Sequence, residues 1–376
     1  MKILLVGGGS GGHVTPLKAI AEELDTDVHQ VSIISDRGFF KQAEFLFKDN
    51  KNVKLYKIFA GKYRRYQSKS FVWHIIHLPT LLKNIRDIFY LAIGLLQATV
   101  LMVRLKPDVV FCKGGFVCIP VGVSARLFKK KIIIHDSDTR PGLTNRILSK
   151  WAYKIATGMP ADFYPYPKDK MVHVGMPVAS SFKSVSEAVK ESFKTKLGFK
   201  HSQPVLLVTG GGNGSEQINN LVNEIAPDLL DLGWGIEHIT GKGKSKSTVE
   251  NKGELGGQQN SWHVSEFTDM LPRLLAADIV VARTSASTLQ ECANSKKVVV
   301  GLPSPHLSDQ IMNAEYFESK NSLVYIKEDD LSAKKLKDTL QDLQNNKAST
   351  EALAENLYKN FAMPDAAKQI AKIISQ

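Results

Sequence analysis

The sequence predicts an α/β protein made of two Rossmann-like domains, each a parallel sheet wound with helices. Three observations carry this. The chain opens with an apolar run, Ile3 to Val6, followed by Gly7-Gly8-Gly9-Ser10-Gly11-Gly12-His13-Val14-Thr15-Pro16, then by Leu17, Ile20, Ala21 and Leu24 at helical spacing. That theme of strand, glycine loop and helix restarts at Pro204–Thr209, with Gly210-Gly211-Gly212-Asn213-Gly214-Ser215 and a helix from Glu216. Other apolar runs end in Gly, His, Asp or Asn, and the carboxyl ends of strands are where doubly wound sheets take ligands. A length of 376 residues, 43% hydrophobic and 23% charged, suits two domains or three small ones with a sizeable core.

The first loop sets the chemistry. Its glycines allow positive φ and close approach of backbone to a ligand. Pro16 fits the first turn of the helix. Free N–H groups and a positive helix end then meet at one point, where phosphate binds. Gly7, Gly9 and Gly12 also satisfy the G-x-G-x-x-G dinucleotide fingerprint, with Asp36 after Val31–Ile34 as the ribose acid. A dehydrogenase and a purely structural turn therefore stay open on this loop alone. His13 at the mouth of the helix is the unusual feature, because a nicotinamide enzyme has no evident need for it there.

Val53–Ile58 reads as a strand. The segment 61–73 that follows mixes cations and aromatics: Lys62, Arg64, Arg65 and Lys69 with Phe71 and Trp73. Nucleic acid uses such a mixture through phosphate contacts and stacking, and anionic lipid uses it equally. At about 1 kcal/mol per cation, four give roughly millimolar attraction, and apolar insertion must supply the rest. The run Ile75–Leu82, with His74, His77 and Pro79 in or beside it, reads as an exposed apolar patch. Ile88–Val103 is 16 residues long, contains Gln97 and Thr99, and reads as a buried helix, with an interfacial one as the alternative, short of the roughly 20 residues of a bilayer span. Residues 1–150 hold 24 Lys+Arg against 11 Asp+Glu, whereas residues 151–376 hold 25 against 26, so the net charge of +12 belongs to the first half. A solvated basic face, nucleic acid, an anionic membrane and a multiply charged phosphate substrate are its four readings.

Pro107–Cys112 is a strand leading to Lys113-Gly114-Gly115-Phe116. Lys131–Ile134 is another, ending at His135-Asp136-Ser137-Asp138, and Pro141–Arg146 opens a helix. Ile155–Thr157 and the Pro/Tyr-rich passage 159–167 mark a domain edge, with Gly175-Met176-Pro177 as hinge. In the second half, 242–257 reads as a polar glycine-rich loop. Ala277–Arg283 is a strand followed by Thr284-Ser285-Ala286-Ser287-Thr288 and a helix carrying Glu291. Val298–Leu302 is a strand, and 331–376 are helices, the last capped by Pro364-Asp365. Cys112, Cys118 and Cys292 give neither a disulfide framework nor metal-ligand spacing, which points to a reducing compartment. Four apolar residues ahead of the glycines are too few for the core of a signal peptide. The expected division is 1–173, joined by a C-terminal helix at about 362–376, and 174–361. Twin domains favour the GT-B architecture of nucleotide-sugar glycosyltransferases, with parallel sheets facing a central cleft.

The motifs then resemble those of the MurG-type glycosyltransferases of family 28, along nearly the whole chain. Gly7–Pro16 resembles the opening motif. Gly61-Lys62-Tyr63-Arg64-Arg65-Tyr66 resembles G-K-x-R-R-Y, and Lys113–Val117 with Pro120 resembles K-G-G-[YF]-V…P. Gly142 with Asn145-Arg146 resembles G-x-x-N-R, and Gly210-Gly211 with Gly214 the donor-side loop. Arg283, Ala286, Thr288 and Glu291 fit R-x-G-A-x-T-x-x-E, and Gln310 with Asn313-Ala314 fits Q-x-x-N-A. The departures are His135-Asp136-Ser137-Asp138 for H-E-Q-N, Met176 and Ala179 within G-N-P-V-R, and Ser285 for glycine.

The resemblance implies an inverting transfer of N-acetylglucosamine from UDP-GlcNAc to undecaprenyl-pyrophosphoryl-MurNAc-peptide (lipid I), giving lipid II. His13 is then the base or an acceptor ligand, and Asp138 an alternative base. The pair Asp136-x-Asp138 is open to three readings: a metal motif, a helix cap, or two carboxylates raising one pKa. Donor contacts fall to Ser10, Gly11, Gly12, Gly211, Asn213, Gly214, Ser215, Phe267, Met270, Arg283, Ser285, Ala286, Thr288, Glu291, Gln310 and Asn313. The last two, one turn apart, would both face the sugar. Acceptor contacts fall to Gly8, Gly9, Thr15, Lys113, Gly114, Gly115, Asp138 and Asn145. Lys62, Arg64, Arg65, Lys69, Phe71 and Trp73 would dock a peripheral enzyme on the anionic cytoplasmic face of the membrane, without nucleic acid. No tightly bound cofactor is expected, and at most a loosely held divalent cation. Another UDP-sugar transferase with a different lipid acceptor, a UDP-GlcNAc 2-epimerase and a non-catalytic nucleotide-sugar or RNA-binding protein are the rival readings.

Overall fold

The computed structural model describes residues 1–50, 52–62, 77–253 and 260–376. They form two compact units, one of Met1–Ser137, Pro141–Ala179 and Asp365–Gln376, the other of Asp138–Arg140 and Ser180–Pro364. The dividing point in the chain thus falls after Ala179, a few residues beyond the expected hinge at Gly175-Met176-Pro177.

The first unit contains strands β1 (Lys2–Gly7), β2 (Gln30–Asp36), β3 (Lys54–Ile58), β4 (Val109–Gly114), β5 (Lys131–Asp136), β6 (Lys154–Thr157) and β7 (Met171–His173). They make one parallel sheet in the order β3-β2-β1-β4-β5-β6-β7. Its helices are α1 (Gly11–Glu22), α2 (Phe40–Leu46), α3 (Leu78–Leu105), α4 (Cys118–Leu127) and α5 (Leu143–Leu148). The second unit contains β8 (Val205–Thr209), β9 (Gly235–Ile239), β10 (Trp262–Ser265), β11 (Ile279–Ala282), β12 (Val298–Gly301) and β13 (Val324–Tyr325), parallel in the order β10-β9-β8-β11-β12-β13. Helices α6 (Glu187–Lys196), α7 (Glu216–Asp231), α8 (Lys246–Gly253), α9 (Met270–Ala276), α10 (Ala286–Asn294), α11 (Ser308–Ser319), α12 (Ala333–Asn345) and α13 (Lys347–Phe361) surround it. The last helix, α14 (Ala366–Ser375), returns to the first unit, where Ile370, Ala371 and Ile374 join Leu17, Ile20 and Ala21 in the core.

Both sheets have one place where the strand order reverses, between β1 and β4 and between β8 and β11. The connections leave such a pair on opposite faces, so a crevice opens at their carboxyl ends. The two glycine loops sit there.

Several expectations need correction. The 16-residue apolar run is not a buried helix. It belongs to α3, which starts at Leu78 with Pro79 in its first turn and runs 28 residues, about 42 Å. Only a narrow seam of Thr80, Asp87, Gly94, Ala98 and Met102 is buried. Leu82, Ile85, Phe89, Ile93, Leu96, Val100 and Val103 are exposed. Among the described residues α3 alone is long and apolar enough to cross a membrane by length and composition. Residues 75 and 76, at the start of the first apolar run, lie outside the described residues, and its remainder continues into α3. Pro16 sits inside α1, not in its first turn, because the helix starts at Gly11; its missing N–H leaves the Gly12 carbonyl without the usual partner. Part of 242–257 is helical, as α8. Asp365 precedes α14 without a side-chain cap.

Exposure along α3 sets the first test. Leu96→Glu, at a position 69% exposed, will leave the thermal unfolding midpoint within about 2 °C of the parent. Met102→Glu, 1% exposed, will cost several kcal/mol by burying a charge and lower the midpoint by many degrees. Equal midpoints would show the seam and the stripe to be misassigned.

Candidate functional site

In the first unit the reversal point is built around His13. Helix α1 begins at Gly11, so His13 lies in its first turn. The ring Nδ1 is 2.9 Å from the Gly8 carbonyl and 3.0 Å from Ser10 Oγ. A carbonyl only accepts, so Nδ1 carries the hydrogen and Nε2 keeps its lone pair. Gly114 and Gly115 wall the ring: a Cβ at Gly114 would stand 3.2 Å from Nε2, and one at Gly115 would stand 2.0 Å from the Gly8 carbonyl oxygen. Burial, then the positive charge of Lys113, holds the imidazole down to about 4, against a smaller opposing effect of the Gly8 carbonyl. His13 is therefore neutral at pH 7.

Lys113 reaches this position through a bulge. Val6 pairs with Cys112 and Gly7 with Gly114, so Lys113 is the extra residue, and a bulge re-aims the side chain it carries. The side chain is 1% exposed and Nζ donates to Ser137 Oγ at 2.5 Å. Ser137 in turn lies 3.4 Å from His135 Nδ1, and His135 Nε2 donates to the Gly175 carbonyl at 2.9 Å. Burial and Lys113 push His135 well below the ordinary imidazole range. Asn145 Nδ2 donates to the His135 carbonyl at 2.9 Å, while its Oδ1 is buried without a partner among the described residues.

Asp136 is engaged from another side. Its carboxylate accepts the Tyr166 hydroxyl at 2.6 Å and the Gly142 N–H at 3.4 Å. Burial raises its pKa, against the pull of these hydrogen bonds and of Lys113. Burial thus replaces the neighbouring carboxylate as the cause of the shift. Asp36, the acid of the dinucleotide reading, accepts the N–H groups of Gly9 at 2.6 Å and Gly38 at 3.0 Å and braces the first loop. Thr15 and Gly12 are exposed on α1, and Gly11 faces the Gln42 side chain. Lys62 is described, its N–H donating to Asp87 at 3.1 Å. Arg64, Arg65, Lys69, Phe71 and Trp73 lie outside the described residues.

The second unit repeats the plan with different side chains. Gly211 turns at φ +72, Gly214 N–H closes the loop on the Gly211 carbonyl at 2.9 Å, and Ser215 caps α7. Asn213 is exposed at the loop tip. Arg283 follows β11, its guanidinium 3.5 Å from where a Cβ at Gly211 would stand. Burial pulls this guanidinium below its ordinary value, and its Nε is buried without a partner among the described residues. Ser285 Oγ and Thr288 Oγ1 are 3.0 Å apart in the first turn of α10, which starts at Ala286. Glu291 is on the same helix, and desolvation raises its carboxyl to about 8. Gln310 Oε1 accepts the Ser304 N–H at 3.2 Å.

Asn313 does not present itself to a sugar. Its Nδ2 donates to Asp138 and to the Thr284 carbonyl, each at 3.0 Å, and its Oδ1 accepts Thr139 N–H at 3.1 Å and Thr139 Oγ1 at 2.9 Å. An amide offers two hydrogens and two lone pairs, so Asn313 is fully committed. Phe267 is 62% exposed and is no core residue, and Met270 is partly exposed at the start of α9. Among the described residues no cluster of three or more His, Cys, Asp or Glu is arranged to hold a metal ion. Tyr166 lies outside every motif of the sequence, and Ser137 stands there only as a departure from the family pattern, since each acts through a partner distant in sequence.

Residues 3–157 match the glycosyltransferase family 28 N-terminal domain, and residues 205–370 the family 28 C-terminal domain. A protein of Bacillus cereus named UDP-N-acetylglucosamine–N-acetylmuramyl-(pentapeptide) pyrophosphoryl-undecaprenol N-acetylglucosamine transferase 2 is 33% identical over 100% of this chain and 99% of its own. A Clostridium kluyveri protein named as the same transferase is 33% identical with the same coverage. Among solved structures, Acinetobacter baumannii MurG superposes with TM-score 0.71 at 22% identity, covering 100% of this chain and 99% of that one. The UDP-GlcNAc 2-epimerase of Neisseria meningitidis superposes with TM-score 0.65 at 15% identity, covering 100% of both chains, a likeness of fold.

The electrostatics around His13 are open to direct measurement. Its folded pKa lies below the unfolded value near 6.5, so the protein loses stability as pH falls from about 6.5 toward 4, and the imidazole stays neutral above that window. Its NMR ring signals will not move between pH 8 and 5.5. Lys113→Met, which removes the neighbouring charge, will raise the midpoint toward but not to 6.5, because burial remains. A wild-type midpoint above 6 would refute this account.

Proposed function

The chain belongs to glycosyltransferase family 28, and we propose that it transfers N-acetylglucosamine from UDP-GlcNAc to the muramyl sugar of undecaprenyl-pyrophosphoryl-MurNAc-peptide (lipid I), forming lipid II with inversion. The full-length relatives support the substrates. The observation that carries the reading to these residues is that each reversal point pairs a glycine loop with a desolvated cation, Lys113 in one unit and Arg283 in the other. Such a pair is suited to a diphosphate.

The acceptor's diphosphate belongs at Gly8, Gly9 and the start of α1, near Lys113 and Gly114-Gly115. His13 Nε2 takes the proton of the acceptor hydroxyl as that oxygen bonds to the anomeric carbon. The bond from that carbon to the β-phosphate oxygen breaks, and UDP leaves with the electron pair. An imidazole near 4 is a weak base, and an arriving diphosphate opposes the field of Lys113, raising its basicity once acceptor is bound. Arg283, the N–H groups of 211–215 other than those of Gly211 and Gly214, which bond within the loop, and the first turn of α10 meet the charge on UDP. Glu291 serves the ribose hydroxyls, and Phe267 with Met270 the base. Asn313 serves as a strut holding Thr284 and Thr139. The reading includes no resident cofactor and at most a loosely held divalent cation.

Product analysis with UDP-GlcNAc, with and without lipid I, tests the reading. UDP release that requires lipid I, persists in EDTA and falls about a hundredfold or more in His13→Ala is the expected result. An N-acetylmannosamine product would mean an epimerase, and near-normal turnover without His13 would remove it as base.

We infer that the enzyme is peripheral on the anionic cytoplasmic face of the membrane, and that nucleic acid is not its partner. The exposed apolar stripe of α3, with Lys83, Arg86 and Arg104 along it, supplies the apolar insertion that the basic segment 61–73 requires. The protein will pellet with anionic liposomes at low salt. Reversing Lys62, Arg64 and Arg65 will weaken this, and Leu82→Glu with Phe89→Glu and Leu96→Glu will abolish it. Undiminished pelleting of both variants would exclude this dock.

A further inference from the structure

The second unit holds a buried histidine with no part in the chemistry above. His238 lies on β9, is 0% exposed, and its Nε2 is 3.0 Å from Asn219 Oδ1 on α7. An amide oxygen only accepts, so Nε2 carries the hydrogen. Asn219, 2% exposed, is thereby fixed with its amide nitrogen turned the other way, where it donates to the Thr240 carbonyl at 3.1 Å and the Lys244 carbonyl at 3.5 Å. Thr240 N–H is tied to the Ser265 carbonyl of β10 at 2.9 Å. The Thr240-Gly241 turn is the ledge on which the second glycine loop rests. A Cβ on Gly214 would stand 2.1 Å from the Thr240 carbonyl oxygen, and one on Gly241 would stand 2.4 Å from Gly214 Cα.

We propose that His238 is a positioning residue for nucleotide binding: through Asn219 it sets the Thr240-Gly241 ledge, and the ledge sets the backbone N–H groups of the loop 210–215. The inference rests on the assignment of that loop to the UDP moiety. The imidazole makes this hydrogen bond at a cost. Its Nδ1 is buried without a partner among the described residues, as are Asn223 Oδ1 on α7 and Thr248 Oγ1 on α8. An apolar side chain at 238 would avoid that desolvation. Burial also pushes the imidazole down to about 3, so it stays neutral and keeps this one donor across the working pH range. A ledge displaced by a few tenths of an ångström would misdirect N–H groups whose hydrogen bonds to phosphate depend on distance and angle.

His238→Met and His238→Gln are matched in length and differ in the amide, whose N–H can reach Asn219. UDP affinity measured by calorimetry is expected to weaken about tenfold in His238→Met and to stay within about threefold of wild type in His238→Gln, equivalent to about 1.4 kcal/mol between wild type and the methionine variant. KM for UDP-GlcNAc will rise in parallel with kcat little changed, the signature of lost ground-state binding. A merely structural residue would lower the thermal midpoint and leave the affinity of the folded protein unaltered; a His238→Met protein that is folded and binds UDP as wild type overturns the proposal. Should His238→Met fail to fold, Asn219→Asp keeps an oxygen toward His238 and removes the N–H toward Thr240. It must show the same loss, and wild-type UDP affinity there overturns the proposal equally. Wild-type protein that binds no UDP would instead overturn the donor-loop assignment itself.

Discussion

Both glycine loops depend on two stretches of backbone passing where no side chain fits. In the first unit the Gly8 carbonyl occupies the space a Cβ of Gly115 would need, and Gly115 has φ +82. In the second, Gly214 and the Thr240-Gly241 turn lie against each other in the same manner, at φ +66 and +92 for the two glycines. The contact is forced by topology. Where the strand order reverses, neighbouring strands send their chains to opposite faces, and the loops that leave them share one crevice. Close passage leaves each crevice walled by main chain at these points.

Upon this backbone the two units set different charges. The first places a buried ammonium beside a neutral imidazole; the second has an incompletely partnered guanidinium after β11 and, on the helix that follows, a carboxyl raised to about 8. Desolvated cations cost stability in the free protein. In the proposed function an arriving diphosphate would offset that cost, and an apolar replacement at Lys113 or Arg283 would trade function for stability.

The fold was legible because its signals are local. Ile3–Val6 with the glycine run, and Pro204–Thr209 with Gly210–Ser215, carry strand, loop and helix within about twenty residues each. Reading α3 as buried failed because composition reports how apolar a run is, not how many faces are covered. Gly94, Ala98 and Met102 mark the covered seam, and the larger Phe89 and Leu96 stand outside it. At the sites, the glycines, His13, Arg283 and Glu291 were visible as residue types in motifs. Their supports were not. Ser137 meets Lys113 across 24 residues, Tyr166 meets Asp136 across 30, and Asn313 meets Thr139 across 174. Pairings at such separations leave no periodicity to read.

Those supports also account for part of the departure from the family pattern at 135–138. Ser137 is short, and its hydroxyl takes the Lys113 ammonium and faces His135 Nδ1. Asp136 is held by the Tyr166 hydroxyl, from the Tyr-rich passage that sequence reading treated only as a domain edge. Asp138 accepts the amide of Asn313, which also holds Thr284, the residue next to Arg283. Each substituted side chain thus has a partner of its own, and the departures form one consistent local solution. Such a solution requires neighbouring changes to be made together: lengthening Asp136 would press on Tyr166, and replacing Ser137 by an apolar residue would strip a hydrogen bond from a buried ammonium, the more costly of the two.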